Sequence, residues 1–520
     1  MPPFSSILPV LAEEIPMIVT PEDGIGKAKH VDHDKESQNT DRERAQTIQR
    51  TKGLSATAGL VNFICGMIGP GCFALALSFK QAGLWAGFVL VFIIGGLSLF
   101  SMSKIVKCSQ YLAKLNGDQK LDYGQMAAAA MQNSYPWARR HGNLAKIFVN
   151  ICSVSFQLGV ISVFLVFSAD HIIEIYEFIA KKPIGISKEL IILIFFVPQM
   201  ALNLINHIRL ITIVSLLGNV IIFGAIALIT KELFTHSWYP ISELPAITSI
   251  EGISLASGAL VYSFEGQAMV LPLENSLRHP QDMIGFTGVL STAMNLVTLL
   301  YAFLGFFGYL TFGDAVQGSI TLNLPNNVLS VVVKCLLVLK MFLGSAIQLY
   351  AVVHMLLPTL EHRVPDEKPI LKRSLPYILR VILMIIPLGI SLAIPNLMQI
   401  IPLVGITSGI MISLIIPSIV DTLVFLPLYA KQGKRRDYWI KLIINLTLFV
   451  LGWFFLGCGL YSSIDDIVHI GTLIDSMAAR QEAFLLPSGF VQAISVSSSP
   501  DRTNLIPKEV NFTEVNFRQF

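Results

Sequence analysis

Charged side chains are scarce in this sequence, at 14% of 520 residues against about 25% in soluble domains. Hydrophobic residues make up 53% and the mean hydropathy is +0.65. A soluble core cannot use that much apolar surface, so a multi-spanning membrane protein resting in a lipid bilayer is expected. Other absences narrow the chemistry. The chain holds no Gly-Lys-Ser phosphate loop, no HExxH, no GxSxG and no Cys-x-x-Cys pair. That removes ATP-driven pumping and the common hydrolase and metal signatures, so no enzyme activity, metal or cofactor is expected. Six cysteines, at 65, 72, 108, 152, 335 and 458, lie in or beside apolar segments, and no structural disulfide is expected. No basic surface invites nucleic acid. The first residues lack a basic stretch followed by an apolar one, so no signal peptide is expected and the first span must direct its own insertion.

What is present is a succession of apolar runs. A bilayer core of about 30 Å needs roughly 20 apolar residues per helix. About eleven spans satisfy this, near 54–79, 82–103, 146–168, 188–206, 208–230, 252–272, 285–311, 328–356, 374–394, 397–420 and 437–460. Loops after spans two, eight and ten are rich in Lys and Arg, among them Lys104, Lys107, Arg139, Arg140, Arg363, Lys372, Lys434 and Arg435. The positive-inside bias puts the N-terminus in the cytoplasm. Residues 1–53 then read as a disordered cytoplasmic arm. Residues 461–520 read as a non-cytoplasmic tail, where Asn511-Phe-Thr is a glycosylation sequon with compatible topology.

Two spans are interrupted by residues that helices avoid. Span one carries Gly66, Gly69, Pro70 and Gly71 at its midpoint, and span six carries Glu265 followed by Gly266. A mid-bilayer carboxylate costs about 2.5–3.5 kcal/mol or more and is functional by default. A glycine inside a helix loses about 1 kcal/mol relative to alanine. Breaks in the first and sixth helices are what two inverted five-helix repeats require, here 54–230 and 252–428, with 437–460 as an eleventh helix outside the repeat. Half-helix ends expose N–H groups to a carboxylate and C=O groups to an ammonium or a cation. The bland reading is that these glycines only let helices pack closely.

Three strings carry a resemblance: Ser263-Phe-Glu-Gly266, Val270-Leu-Pro-Leu-Glu-Asn275 and Gly318-Ser-Ile-Thr-Leu-Asn-Leu-Pro325. Together they resemble the proton-assisted amino-acid transporters of the amino acid/auxin permease superfamily. The likeness runs thinly over about 50–460 and is strongest from 255 to 360; Gln157-Leu-Gly159 also fits. It implies an all-α, LeuT-like fold of eleven helices that moves small neutral amino acids by alternating access. The coupling ion it implies is a proton, at the plasma membrane or a lysosomal or endosomal membrane. It also implies that Gly66, Gly69 and Gly71 receive the substrate carboxylate, and Ser263, Phe264, Glu265 and Gly266 the ammonium. The substrate would lie between spans one, three, six and eight, while spans one, two, six and seven rock against the rest.

Two positions depart from that family. Asn62 stands where many members carry a titratable histidine, and Lys340 stands mid-span where a small neutral residue is usual. Glu265 and Lys340 are therefore the coupling candidates. Lys340 either pairs with Glu265 or takes the place of a coupling ion. Glu265 relays protons, holds the ammonium, or satisfies loose N–H groups at the break. Gln157 and Gln348 are expected to bond between helices or touch substrate. Arg380 is expected to snorkel to the cytoplasmic face, and Ser319–Pro325 to shape a turn and cap span eight. A carrier coupled otherwise or not at all, and an amino-acid-sensing receptor with little flux, stay open as alternatives.

Overall fold

The structure, a computed structural model, describes residues 53–117, 119–204, 208–325, 327–361 and 369–485. The N-terminal arm up to residue 52 and the Asn511 sequon lie outside the described residues. Regular structure among those described is helical, apart from one isolated bridge between Leu54 and Leu277.

Span one is two helices, α1 (Ala56–Met67) and α2 (Leu75–Ala82), joined through a 3-10 turn, Pro70–Ala74, and bent by 53°. Gly83, at φ +95°, then reverses the chain into α3 (Leu84–Leu115). A Cβ there would also lie 2.8 Å from the Ala246 carbonyl, so this turn needs glycine. A short helix, α4 (Tyr123–Gln132), follows in what reads from sequence as a loop. Its capping box of Asp122 and Gln125 supplies the start signal. Then come α5 (Gly142–Ala180), α6 (Lys188–Asn203), α7 (Ile208–Thr235), α8 (Ile250–Ser263) and α9 (Gln267–Ser276). The remainder comprises α10 (Val289–Phe312), α11 (Val328–Glu361), α12 (Pro369–Ala393), α13 (Leu397–Val404), α14 (Ile416–Lys431) and α15 (Arg435–Leu485). Two π-turns, Gly405–Gly409 and Met411–Ile415, connect α13 to α14.

Among the described residues seven helices are long and apolar enough to cross a bilayer, or eight with the bent pair counted as one span. The chain is a multi-pass membrane protein. α6, α7 and the interrupted pair α8–α9 fall where spans four, five and six are expected, so eleven spans are compatible with this set.

Burial separates the centre from the rim. The apolar window of α5 is 83% buried, whereas that of α15 is 22% buried. Span three therefore runs through the middle of the bundle, and α15 presents Trp453, Phe454 and Val450 outward, as lipid permits. α8 crosses the π-turns with backbones touching: a Cβ on Gly405 would lie 1.9 Å from the Gly258 carbonyl oxygen. Small residues let helices approach this closely in a membrane.

Two expectations about charge need correction. Lys104 is not a loop residue; it sits inside α3, buried, and pairs with Asp421 of α14 at 3.1 Å. Arg380 does not snorkel to water. It is 2% exposed and donates to the Asn203 carbonyl at the end of α6, 2.6 Å away. In each case an acceptor inside the bundle outcompetes the water that the side chain could otherwise reach.

Candidate functional site

The helical ladder of span one ends at Ile68, whose N–H still reaches Ile64. Gly69 is extended, and the turn beginning at Pro70 has no side-chain cap. Proline has no N–H and its ring excludes a continuing helix, so the break is local chemistry. The second break follows Ser263: Phe264 and Gly266 leave helical geometry, and α9 restarts at Gln267.

The two breaks face each other. The Tyr301 hydroxyl, on α10, lies 2.9 Å from the Met67 carbonyl and 3.1 Å from the Ser263 carbonyl, the last helical residue on each side. Glycines let the breaks interlock. A Cβ at Gly71 would lie 2.8 Å from Ser263 Oγ and 2.9 Å from its Cα, and one at Gly266 would lie 2.4 Å from Met67 Sδ. One at Gly66 would strike Met269. At Gly69, by contrast, a Cβ would meet nothing within 4 Å. Space is open there, beside the uncapped end of a half-helix. That combination suits an anionic group.

Glu265 caps the second break. One carboxylate oxygen accepts the Gln267 N–H at 2.9 Å, while Oε2 is buried without a partner among the described residues. An orphaned buried carboxylate oxygen forgoes a hydrogen bond worth having, which marks a place for a donor. Lys340 does not pair with Glu265. Its stem runs along Gly218 of α7, and its ammonium donates to the Ile68 carbonyl at 3.2 Å. A fixed cation thus sits on the carbonyl end of the broken span one, where the aligned peptide dipoles favour positive charge.

The other candidates are spread around this centre. Asn62 is exposed on α1 and Gln157 is buried on α5. Neither Gln157 nor Gln348 bonds across to another span among the described residues. The Ser263 hydroxyl turns back to the Ala259 carbonyl, and Phe264 is buried against Tyr301 at 4.9 Å between ring centres. Residues 319–325 do form a 3-10 turn, Ile320–Asn323, but the cap of span eight is Asn327, which accepts the Ser330 N–H.

Sequence reading missed Tyr301 and Tyr262. Tyr262 is buried next to Gly71 with its hydroxyl unpartnered. A phenol inside an apolar span was the available signal, since buried hydroxyls seek partners. The cluster around Asp421 was also missed. This carboxylate is fully buried and meets Lys104, Lys441 at 2.9 Å and the Asn445 amide at 2.9 Å. A separate cavity of ≈ 20 Å³ is lined by Ser98, Ser257 and Ser413. It has room for a water molecule, not for an amino acid.

Tyr301→Phe removes the one donor shared by both breaks. It is expected to lower stability by about 1–2 kcal/mol and to slow transport. Thermal unfolding in detergent and initial uptake rates measure the two effects. Parental values of both would mean that the hydroxyl does not join the breaks.

Known proteins resemble this chain. A model of transmembrane amino acid transporter proteins matches residues 52–464. The probable amino acid transporter skat-1 of Caenorhabditis elegans is 31% identical over 458 residues, covering 86% of this chain and 98% of that protein. The proton-coupled amino acid transporter-like protein pathetic of Drosophila melanogaster is 25% identical over 415 residues, covering 79% of this chain and 84% of its own. Among solved structures, the inward facing conformation of Mhp1 superposes with a TM-score of 0.50 at 11% identity, over 85% of this chain and 99% of that one. At that identity the likeness concerns the fold alone.

Proposed function

Because this chain belongs to the family of transmembrane amino acid transporter proteins, we propose that its facing breaks bind a small neutral amino acid for proton-driven transport. The observation that carries this reading is the open space at Gly69 beside an uncapped half-helix, in a break that the Tyr301 hydroxyl joins to the one carrying the unpartnered oxygen of Glu265. A zwitterion needs both halves: N–H groups for its carboxylate and a carboxylate for its ammonium. Close packing around Gly66, Gly71 and Gly266 favours small side chains over large ones.

The two repeats, 54–230 and 252–428, supply one break each. Spans one, two, six and seven rock against the rest to give alternating access. Lys340 stands in for a coupling cation at the Ile68 carbonyl, which makes sodium unnecessary. The N-terminus faces the cytoplasm, and the host membrane is the plasma membrane or that of the endosome and lysosome. The name of the Drosophila relative supports proton coupling.

Reconstitution in liposomes tests the reading. Radiolabelled glycine, alanine or proline should accumulate when the outside is acidic, and equally well with sodium replaced by choline. Binding without accumulation would favour a sensing receptor instead. Accumulation that requires sodium would remove the stand-in role of Lys340.

A further inference from the structure

His171 is fully buried near the end of α5, among polar groups that the breaks do not use. Its Nδ1 lies 2.7 Å from the Phe167 carbonyl and its Nε2 lies 2.6 Å from Thr321 Oγ1. Thr321 Oγ1 in turn lies 2.6 Å from Ser319 Oγ. A carbonyl only accepts, so Nδ1 carries the ring proton and Nε2 is the acceptor. Thr321 then donates to Nε2 and receives from Ser319. The chain of hydrogen bonds has one direction, set by a neutral imidazole.

Thr321 and Ser319 belong to the segment 313–325, which connects spans seven and eight. This segment lies over the break of span one: Ile320–Asn323 packs against the turn Pro70–Ala74, and Lys80 of α2 donates to the Asp314 carbonyl at 2.7 Å. Val316, Ser319, Ile320 and Thr321 of this segment are buried. It is a lid on the outer side in the proposed orientation, and His171 fastens it to span three.

A second proton on the ring would break that arrangement. Nε2 would become a donor facing a hydroxyl that already donates, so Thr321 would have to turn its own hydrogen away from the ring and find another acceptor. The charges around the ring offer no relief. Lys334 of α11 and Lys188 of α6 face it. The carboxylates on its own helix are engaged, Glu174 by Lys334 at 2.8 Å and Asp170 by Lys188. The lid's own carboxylate, Asp314, is exposed, and the turn of span one has no charge. An imidazolium here is a buried charge without a counter-ion, relieved only by admitting water.

We propose that His171 is the proton-responsive positioning residue of the outer lid. In its neutral form it holds Ile320–Asn323 on span three, and in its protonated form it releases the lid and opens the break of span one. Acid on the outer side then favours the loading conformation. Asn62, which has no titratable group, is relieved of this task. The inference rests on the alternating-access reading, but its test reads lid motion without any transport.

Cys72 is the reporter. It lies in the turn beneath the lid and is 1% exposed. Purified full-length protein in detergent is treated with a maleimide at about pH 5.5 and about pH 7.5, which bracket the titration of a water-exposed imidazole, the state the ring reaches once the lid is open. Mass spectrometry follows modification at Cys72 in the parent and in His171→Gln. Taking the ratio of parent to variant cancels the intrinsic pH dependence of the thiol. That ratio should rise about fivefold at the acidic pH, the value of one released hydrogen bond. Thr321→Val, which keeps the histidine but removes its latch, should label faster than parent at neutral pH and lose the parent's acid response. Equal ratios at both pH values, or a full acid response in Thr321→Val, would overturn the proposal. In transport assays His171→Gln should flatten the pH profile of initial rates, which a purely structural histidine would leave parallel to parent.

Discussion

Asp421→Ala lowers the stability of the transporter by about 3–5 kcal/mol, seen as a large drop in its thermal unfolding midpoint in detergent. Asp421 is fully buried and accepts from Lys104, Lys441 and Asn445, three residues on two other spans. Removing it leaves the Lys104 ammonium, 5% exposed, with no negative partner. Lys441 is less affected, because 22% of its side chain reaches solvent. The loss comes from stranded charge, not from the lost attraction alone, since buried ion pairs contribute little over well-packed apolar residues. Hence Lys104→Met combined with Asp421→Leu should recover most of the midpoint. If Asp421→Ala unfolds at the parental temperature, the cluster does not hold span two to spans ten and eleven.

Valine at two neighbouring glycines should have opposite consequences. At Gly71 a Cβ would lie 2.9 Å from the Ser263 Cα, a backbone atom that cannot swing aside. Gly71→Val therefore drives the breaks apart, with loss of folded protein on size-exclusion chromatography. At Gly69 nothing lies within 4 Å of the same position, and the backbone is already extended, with φ −133° and ψ −162°. A β-branched residue before proline adopts that conformation readily. Gly69→Val should fold with the parental midpoint yet fill the space proposed for the substrate carboxylate. Uptake is expected to fall at least about tenfold, the consequence of losing one charge-assisted interaction of about 1.5–3 kcal/mol. Parental uptake by Gly69→Val would put the substrate elsewhere. A well-folded Gly71→Val would mean that the two breaks can part enough to admit a side chain.

The legible parts of this molecule were those written in local chemistry. Gly69-Pro70-Gly71 cannot continue a helix, whatever surrounds it, and the break appears there. Gly266 after a mid-span Glu265 marked the second break for the same reason. Lys104, Arg380 and Lys340 were harder, because a long cationic side chain near a membrane can reach water, a carboxylate or a carbonyl with equal ease. Which one it meets depends on a partner 177 to 317 residues away: Asp421 for Lys104, Asn203 for Arg380 and Ile68 for Lys340. His171 and Tyr301 look like isolated polar residues in apolar runs until the lid and the two breaks close around them.

Composition, apolar run length and the two glycine-rich interruptions alone determined that this chain crosses a membrane many times and unwinds twice while doing so. Those properties follow from backbone hydrogen bonding in a medium without water, which every segment must solve for itself. Only the tertiary structure decided that the unwound turns meet at one tyrosine hydroxyl, that Lys340 turns to a carbonyl instead of Glu265, and that His171 meets the Thr321 hydroxyl. Hydrogen-bond partners are selected by distance in space, and no periodicity along a chain encodes which distant carbonyl or hydroxyl will arrive.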